Sequence, residues 1–386
     1  MTTHGPGRST IAVHGRPVRK PDWAPVVSPI VQSTTFVNPV GGEEEVLYTR
    51  YGNNPTQLEL ARKYALLEGA EEAVFLSSGM AATALAHLAI LRPGDHLLAS
   101  RLIYGGTQRL FDEEFGRLGI TVSYVDPEQQ RQWRKALRKN TRAIFIETPT
   151  NPLIRVLDVA LVAQAARDFG LALLVDATFA SPVNFRPLEH GADVVITSAT
   201  KYLNGHSDVI AGAVAGSAAV IEEVIRLMRL WGPAIDPHQA WLLERGMKTL
   251  AVRVERHNAN GLAVAAWAEG RRGIARVHYP GLASHPDHEV AARQLDGFGG
   301  MVGLEIAGGA AASERMLRRL KVIQHAPSLA GVESLVSEPR LTSHKHLSPE
   351  ARAAQGIPDG FIRLSCGIED AADLIADLDQ ALGQHP

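Results

Sequence analysis

A lysine that follows directly on a strand and a pair of hydroxyl residues is the first feature of this chain with chemistry in it. The stretch Asp193-Val-Val-Ile-Thr-Ser198-Ala-Thr200-Lys201-Tyr202-Leu-Asn-Gly205-His206-Ser207 is apolar up to Ile196 and polar around the lysine. An amine that can shed its proton attacks an aldehyde. The hydroxyls of Ser198 and Thr200 beside it suit a phosphate. A lone lysine in a polar turn is ordinarily a surface charge, so the case for chemistry rests on three further motifs.

Asp176 ends the apolar run Leu171-Ala-Leu-Leu-Val175, and functional groups of parallel sheets gather at the carboxyl ends of strands. A carboxylate there can pair with a protonated pyridine nitrogen and make the ring an electron sink. It can equally be a helix N-cap. Ser78-Gly79-Met80 lies between a predicted strand and a predicted helix. Glycine lets the backbone approach a ligand closely, and a helix N-terminus offers free N–H groups and a favourable dipole to phosphate. A small-residue cap would look the same. Glu147-Thr-Pro-Thr-Asn151-Pro152 follows a strand; Asn151 can donate to a ring oxygen, or the segment is a proline-rich turn. There is no G-x-G-x-x-G, Walker lysine loop, H-E-x-x-H or G-x-S-x-G. His285-Pro-Asp-His288 and His344-Lys-His346 lack supporting cysteines or a helical i, i+4 pair, so they read as loop histidines and no metal is expected.

The elements that must position these groups alternate. Helix is predicted over Thr56–Leu67, from Met80 to Leu91, after Tyr104-Gly105-Gly106-Thr107 and over Val159–Phe169. Strand is predicted over Ala73–Leu76, His96–Ser100, Ile120–Val125, Ala143–Glu147, Leu171–Val175 and Val194–Thr197. That alternation implies an α/β layer with a mostly parallel sheet. Pro233–His238 breaks it. One long helical stretch, Ala240–Ala268, interrupted by Gly246 and Gly261, then leads to strands Met301–Ile306 and Phe361–Ser365 and helices Ser313–Leu320 and Ala371–Leu382. The expected organisation is an extended N-terminal arm (1–55), a large domain (56–240) and a smaller C-terminal α/β domain (241–386). The arm reads as irregular, broken by Pro17, Pro21, Pro25, Pro29, Pro39, Gly41 and Gly42. Its Trp23, Ile30, Phe36, Tyr48 and Tyr51 suggest that it packs onto something, such as another subunit.

Bulk properties agree with an ordinary soluble globular protein. The 386 residues are 45% hydrophobic and 21% charged, with net charge −2, which offers no general field for nucleic acid or membrane. The single cysteine, Cys366, rules out an intrachain disulfide and fits a reducing compartment. With no signal-like start and no apolar run of spanning length, the expected location is the cytoplasm.

The order and spacing of these motifs resemble the Cys/Met-metabolism family of pyridoxal 5'-phosphate (PLP) enzymes, which includes cystathionine γ-synthase, cystathionine γ- and β-lyases, methionine γ-lyase and homoserine sulfhydrylases. The resemblance runs from about His14 to the C-terminal helix. It also covers Tyr48-Thr-Arg50-Tyr-Gly-Asn-Asn-Pro-Thr, Tyr104-Gly-Gly-Thr, Ser328-Leu-Ala-Gly-Val-Glu-Ser-Leu and Arg363-Leu-Ser-Cys-Gly-Ile-Glu. It implies fold type I, with an aspartate-aminotransferase-like large domain. By the same resemblance, Lys201 binds the cofactor aldehyde and shuttles protons, Asp176 pairs with the pyridine nitrogen and Tyr104 stacks on the ring. Ser78, Gly79, Met80, Ser198 and Thr200 hold the phosphate, while Tyr48 and Arg50 reach the phosphate of a neighbouring subunit. Arg363, with Ser328 and Asn151, holds the substrate carboxylate, a natural partner for a guanidinium fork. The implied assembly is a homotetramer, a dimer of dimers with shared sites, acting on a small amino-acid substrate.

Three positions depart from the family's habits. Asp-Asn-Thr is Asp176-Ala177-Thr178 here. Gly106 stands where methionine γ-lyases typically carry cysteine. Pro327 stands where many γ-enzymes carry glutamate, as in plant-type cystathionine γ-synthases, which the Gly356-Ile-Pro-Asp stretch also resembles. The expected reaction is γ-replacement or γ-elimination on sulfur amino acids, with β-lyase, methionine γ-lyase or sulfhydrylase activity as the alternatives. The context of Lys201 argues against an aminotransferase or decarboxylase. Retention of Lys201 and Arg363 argues against a binding protein that has lost catalysis.

Overall fold

In a computed structural model, residues 5–16, 21–345 and 347–383 are described; Pro17 and His346 lie outside them. Among the described residues twelve strands make two sheets. The first holds β1 (Glu72–Leu76), β2 (His96–Ser100), β3 (Thr121–Val125), β4 (Thr141–Glu147), β5 (Ala172–Asp176), β6 (Val194–Thr197) and β7 (Gly212–Gly216). Their order is β1-β7-β6-β5-β4-β2-β3. All run one way except β7, which is antiparallel to both of its neighbours. The carboxyl ends of β1, β4, β5 and β6 therefore face the same edge, the edge where ligands sit in open α/β sheets.

The strands are apolar on both faces because both are covered. Along β4, Ile144 and Ile146 join a cluster with Leu60, Tyr64, Leu173 and Val175, while Ala143 and Phe145 join an opposite cluster with Leu97, Leu174, Val194 and Val214. The two-residue period of a strand sends alternate side chains into different helical layers. The second sheet holds β8 (Ile274–His278), β9 (Met301–Ile306), β10 (Gln324–His325), β11 (Leu335–Ser337) and β12 (Phe361–Ser365), in the order β10-β11-β12-β9-β8. It is antiparallel except for β10 beside β11. A third apolar cluster, including Leu304, Ile362, Leu374 and Leu378, packs its helices against it. The mixed α/β architecture with a large, mostly parallel sheet and a smaller second sheet is thus as the sequence implies. No helix among the described residues is long and apolar enough to cross a membrane.

Four local readings need correction. The arm is not irregular throughout: Arg8–His14 is helical and buries Ala12, against helices Pro55–Glu68 and Leu250–Ala268. No proline or glycine falls inside that heptapeptide. The long helix is two, Pro237–Met247 and Leu250–Ala268, with the break at Lys248–Thr249 rather than at a glycine. Gly261 stays helical, and a Cβ there would stand 2.4 Å from the Gly299 carbonyl oxygen. Strand β7, Gly-Ala-Val-Ala-Gly, carries none of the usual strand formers except Val214. It is small because it is crowded: a Cβ on Gly212 would lie 2.2 Å from the Ser78 carbonyl oxygen. Helix Ala218–Trp231 also went unread, although Ile221, Val224, Leu227 and Met228 recur at helical spacing on its buried face.

Candidate functional site

A cavity of about 590 Å³ opens at the carboxyl edge of the large sheet, against β12 and the loop before β11. Ser78, Gly79, Met80, Tyr104, Asn151, Asp176, Ser198, Thr200, Lys201, Ser328 and Arg363 all line it. Of the residues singled out from the sequence, only Tyr48 and Arg50 do not. They lie at the short helical turn Thr49–Tyr51, where the Arg50 guanidinium donates to the Arg229 carbonyl and lies over the rings of Tyr48 and Tyr51.

Ser78 caps helix Gly79–Ile90, its hydroxyl accepting from Ala81 N at 3.1 Å. The N–H groups of the first turn, at Gly79 and Met80, have no acceptor within the helix. A Cβ on Gly79 would lie 2.9 Å from the Ser198 hydroxyl, so glycine is what lets the helix start alongside that group. Thr200 is held by Ala211, the residue before β7: its hydroxyl donates to Ala211 O at 3.2 Å and accepts from Ala211 N at 3.0 Å. Free N–H groups at a helix start and two hydroxyls are a donor set for a phosphate.

Asp176 ends β5. One carboxylate oxygen accepts from Thr178 N at 2.9 Å, and the Thr178 hydroxyl accepts from Ser198 N at 2.9 Å. The N-terminal-turn role therefore exists, but it occupies one oxygen, and the residue still lines the cavity. Its exposure is to the cavity alone, and burial raises its pKa.

Lys201 sits in a turn closed by Lys201 N to Ser198 O (3.1 Å) and Gly205 N to Lys201 O (2.8 Å). Its Nζ donates to the Ser328 hydroxyl at 2.8 Å. Burial, helped by the nearby Arg363 cation, lowers its pKa to about 8. Ser328 has φ +93°, strained for a residue with a side chain. That conformation lets its hydroxyl meet Lys201 while its carbonyl accepts from Arg363 Nη2 at 3.0 Å. Arg363 Nη1 donates to Asn151 Oδ1 at 2.8 Å. Its Nε is buried without a partner, and Phe179 lies 5.8 Å beneath the guanidinium. A buried cation with an unsatisfied donor and no carboxylate bonded to it is a site for an incoming anion.

Tyr104 projects from the start of helix Gly105–Leu110, and its ring lies over Gly106, where a Cβ would be 2.5 Å away. Phe179 and Glu147 are among the cavity residues to which the sequence alone assigns no role. Phe179 follows the Asp176-Ala177-Thr178 turn. Glu147, within the proline-rich motif, is buried beside Asp176 in the sheet register. Its position at a strand's carboxyl end was the available signal.

The set fits PLP: an amine of depressed pKa for the aldehyde, a carboxylate for the ring nitrogen, an aromatic ring for the face, and N–H and hydroxyl donors for the phosphate. Among the described residues there is no cluster of three His, Cys, Asp or Glu that could hold a metal ion.

The family profile described as "Cys/Met metabolism PLP-dependent enzyme" matches residues 9–383. The chain is 42% identical to an O-succinylhomoserine sulfhydrylase of Pseudomonas aeruginosa, over 87% of this chain and 83% of that one. It is 40% identical to a cystathionine gamma-lyase of Bacillus subtilis, over 97% and 99% respectively. A crystal structure of cystathionine gamma synthase from Xanthomonas oryzae pv. oryzae, in complex with aminoacrylate and cysteine, superposes with TM-score 0.94 at 39% identity, covering 98% of each chain. With the profile spanning nearly the whole sequence and both relatives matched over more than four fifths of their length, the chain belongs to the Cys/Met-metabolism family and is a PLP-dependent enzyme of sulfur amino-acid metabolism.

Proposed function

We propose that this enzyme carries out γ-replacement or γ-elimination on a cystathionine-type or O-acylhomoserine-type substrate. PLP, when bound, supplies an aldehyde for amines and a ring that withdraws electrons from the substrate's Cα. Ser78, Gly79, Met80, Ser198 and Thr200 hold its phosphate, Asp176 its ring nitrogen and Tyr104 its face. Arg363, oriented by Asn151 and Ser328, binds the substrate carboxylate and so fixes which bond at Cα stands perpendicular to the ring. Lys201 takes the proton from Cα and then moves one at Cβ, which expels the γ-substituent. A thiol replaces that substituent, or water completes an elimination to a keto acid and ammonia.

The observation that carries this reading is the double role of Ser328. Its hydroxyl holds the Lys201 amine at 2.8 Å and its carbonyl holds Arg363 at 3.0 Å. Base and carboxylate anchor are thereby referred to one residue, and the base is fixed relative to the substrate's Cα. The relatives include a gamma-lyase and a homoserine-ester sulfhydrylase, and a cystathionine beta-lyase of Lactococcus lactis is 40% identical as well, so the product decides between γ- and β-cleavage. Incubation with cystathionine tests it: 2-oxobutanoate is the expected product, whereas pyruvate with homocysteine would make the enzyme a β-lyase.

Tyr48 and Arg50 complete the phosphate site of a second copy, in a homotetramer built as a dimer of dimers. That neither lines this chain's own cavity supports that reading, as do the fully exposed apolar side chains of the arm, Trp23, Val37 and Val40. Mixing Arg50→Ala with Lys201→Ala protomers should restore activity that neither variant has alone, because one hybrid site then carries both groups. No recovery in verified mixed oligomers rejects shared sites.

A further inference from the structure

Glu147 has no part in the chemistry above, yet it occupies the floor of the site. It is the last residue of β4, directly beside Asp176 of β5. Its side chain is buried, and both carboxylate oxygens are used. Oε2 accepts from Tyr104 N at 2.6 Å, and Oε1 accepts from Asn151 N at 2.7 Å. The two donors lie on different segments. Tyr104 begins helix Gly105–Leu110 after β2, and Asn151 lies in the turn after β4. Among the described residues neither N–H meets another acceptor. Each segment carries one working part of the cavity: the aromatic ring of Tyr104, and the Asn151 side chain that holds Arg363 Nη1 at 2.8 Å.

We propose that Glu147 is a positioning residue: its one carboxylate sets both the ring of Tyr104 and the Asn151–Arg363 anchor for the substrate carboxylate. The placement is costly. Two carboxylates lie side by side, and burial, with the Asp176 charge second, raises the Glu147 pKa well above its usual value. A buried acid persists in such a place when it meets donors that nothing neutral of the same shape satisfies equally. Two N–H groups converging on one side chain need two acceptor oxygens. Glutamine offers one oxygen and one NH₂, so one segment would face its own kind of donor and lose its tether. Aspartate keeps the charge but is one methylene, about 1.5 Å, too short to hold both bonds.

The inference rests on the assignment of Arg363 to the substrate carboxylate and of Tyr104 to the cofactor ring, and the test separates the two. Holoenzyme is titrated with glycine, an amino acid with no side-chain group to expel, and binding is followed by the cofactor's visible absorption. The visible circular dichroism of the bound cofactor reports the setting of the ring. Glu147→Gln and Glu147→Asp should each bind glycine about tenfold or more weakly, as expected when one buried N–H loses its acceptor. Each should also change the visible dichroism while keeping PLP.

Two cycles then distinguish positioning from general softening. In an Asn151→Ala background, which cuts the link to Arg363, Glu147→Gln should cost little further glycine affinity. In a Tyr104→Ala background it should cause little further change in the dichroism. Wild-type glycine affinity and dichroism in both Glu147 variants, or losses that add in full to those of Asn151→Ala and Tyr104→Ala, overturn the proposal. Arg363→Ala is the separate control. If it binds glycine as tightly as the wild type, the assignment of Arg363 fails; if it loses glycine while the Glu147 variants do not, only the role of Glu147 fails.

Discussion

Lys201→Ala should lose turnover by at least about 10⁴-fold, the combined cost of a missing nucleophile and a missing general base. It should still retain PLP through the phosphate and ring contacts. The lysine is prepared for both jobs. Its pKa of about 8 leaves roughly 200-fold more neutral amine at pH 7 than an ordinary lysine near 10.4 would. Only the neutral amine attacks an aldehyde, so the rate at which cofactor-free protein takes up PLP should rise with pH and level off above about 8. An ordinary surface lysine would keep the rate rising towards pH 10. Borohydride reduction of the holoenzyme should then place the label on Lys201 in a peptide map. A label on another lysine, or a Lys201→Ala variant within tenfold of wild-type turnover, removes Lys201 from the chemistry.

The strongly apolar strands of the large sheet could be read with little error, because a strand covered on both faces spells itself as a run such as Leu-Leu-Val or Val-Val-Ile-Thr. The site groups of that sheet stood at the ends of those runs, so Asp176, Lys201 and the Ser78-Gly79-Met80 turn could be placed before the fold was known. What failed to show was structure made by neighbours rather than by local pattern. Strand β7 is built of Gly, Ala and Val because Ser78 and Asp193 carbonyls crowd Gly212 and Gly216, and that crowding is invisible in a single sequence. Glu147 looked like one residue of a turn motif. Its value lies in two N–H groups separated from it by 43 and 4 residues, and only the first of these distances is a tertiary fact. Ser328 likewise needed the structure: its positive φ, which turns hydroxyl and carbonyl to different partners, falls on a residue type that does not advertise it.

Asp176→Asn should lower kcat by about 10²- to 10³-fold, the range for removing one preorganised charge from a buried site, with a much smaller change in KM. The substitution is chosen for what it preserves. Asparagine still offers an oxygen to Thr178 N, so the turn that carries Thr178 to Ser198 N keeps its bonds. What it removes is the negative charge facing the cavity. If Asp176 pairs with the ring nitrogen as proposed, that nitrogen should no longer be held protonated and the ring should draw electrons from Cα less strongly. On the proposed assignment the substrate carboxylate belongs to Arg363 and not to Asp176, so ground-state binding should survive and the loss should appear in kcat. The neighbour responds as well. The Asp176 charge is one cause of the raised Glu147 pKa, so in the variant Glu147 ionises more readily, yet it remains bonded to Tyr104 and Asn151 and is directed away from Asp176's task. Asp176→Ala should be worse in a second way, because it also releases Thr178 and softens the phosphate side of the cavity, lowering PLP affinity. Steady-state kinetics and cofactor content of the two variants separate these effects. An Asn variant with kcat within a factor of about two of the wild type would leave Asp176 as no more than the cap of its own turn.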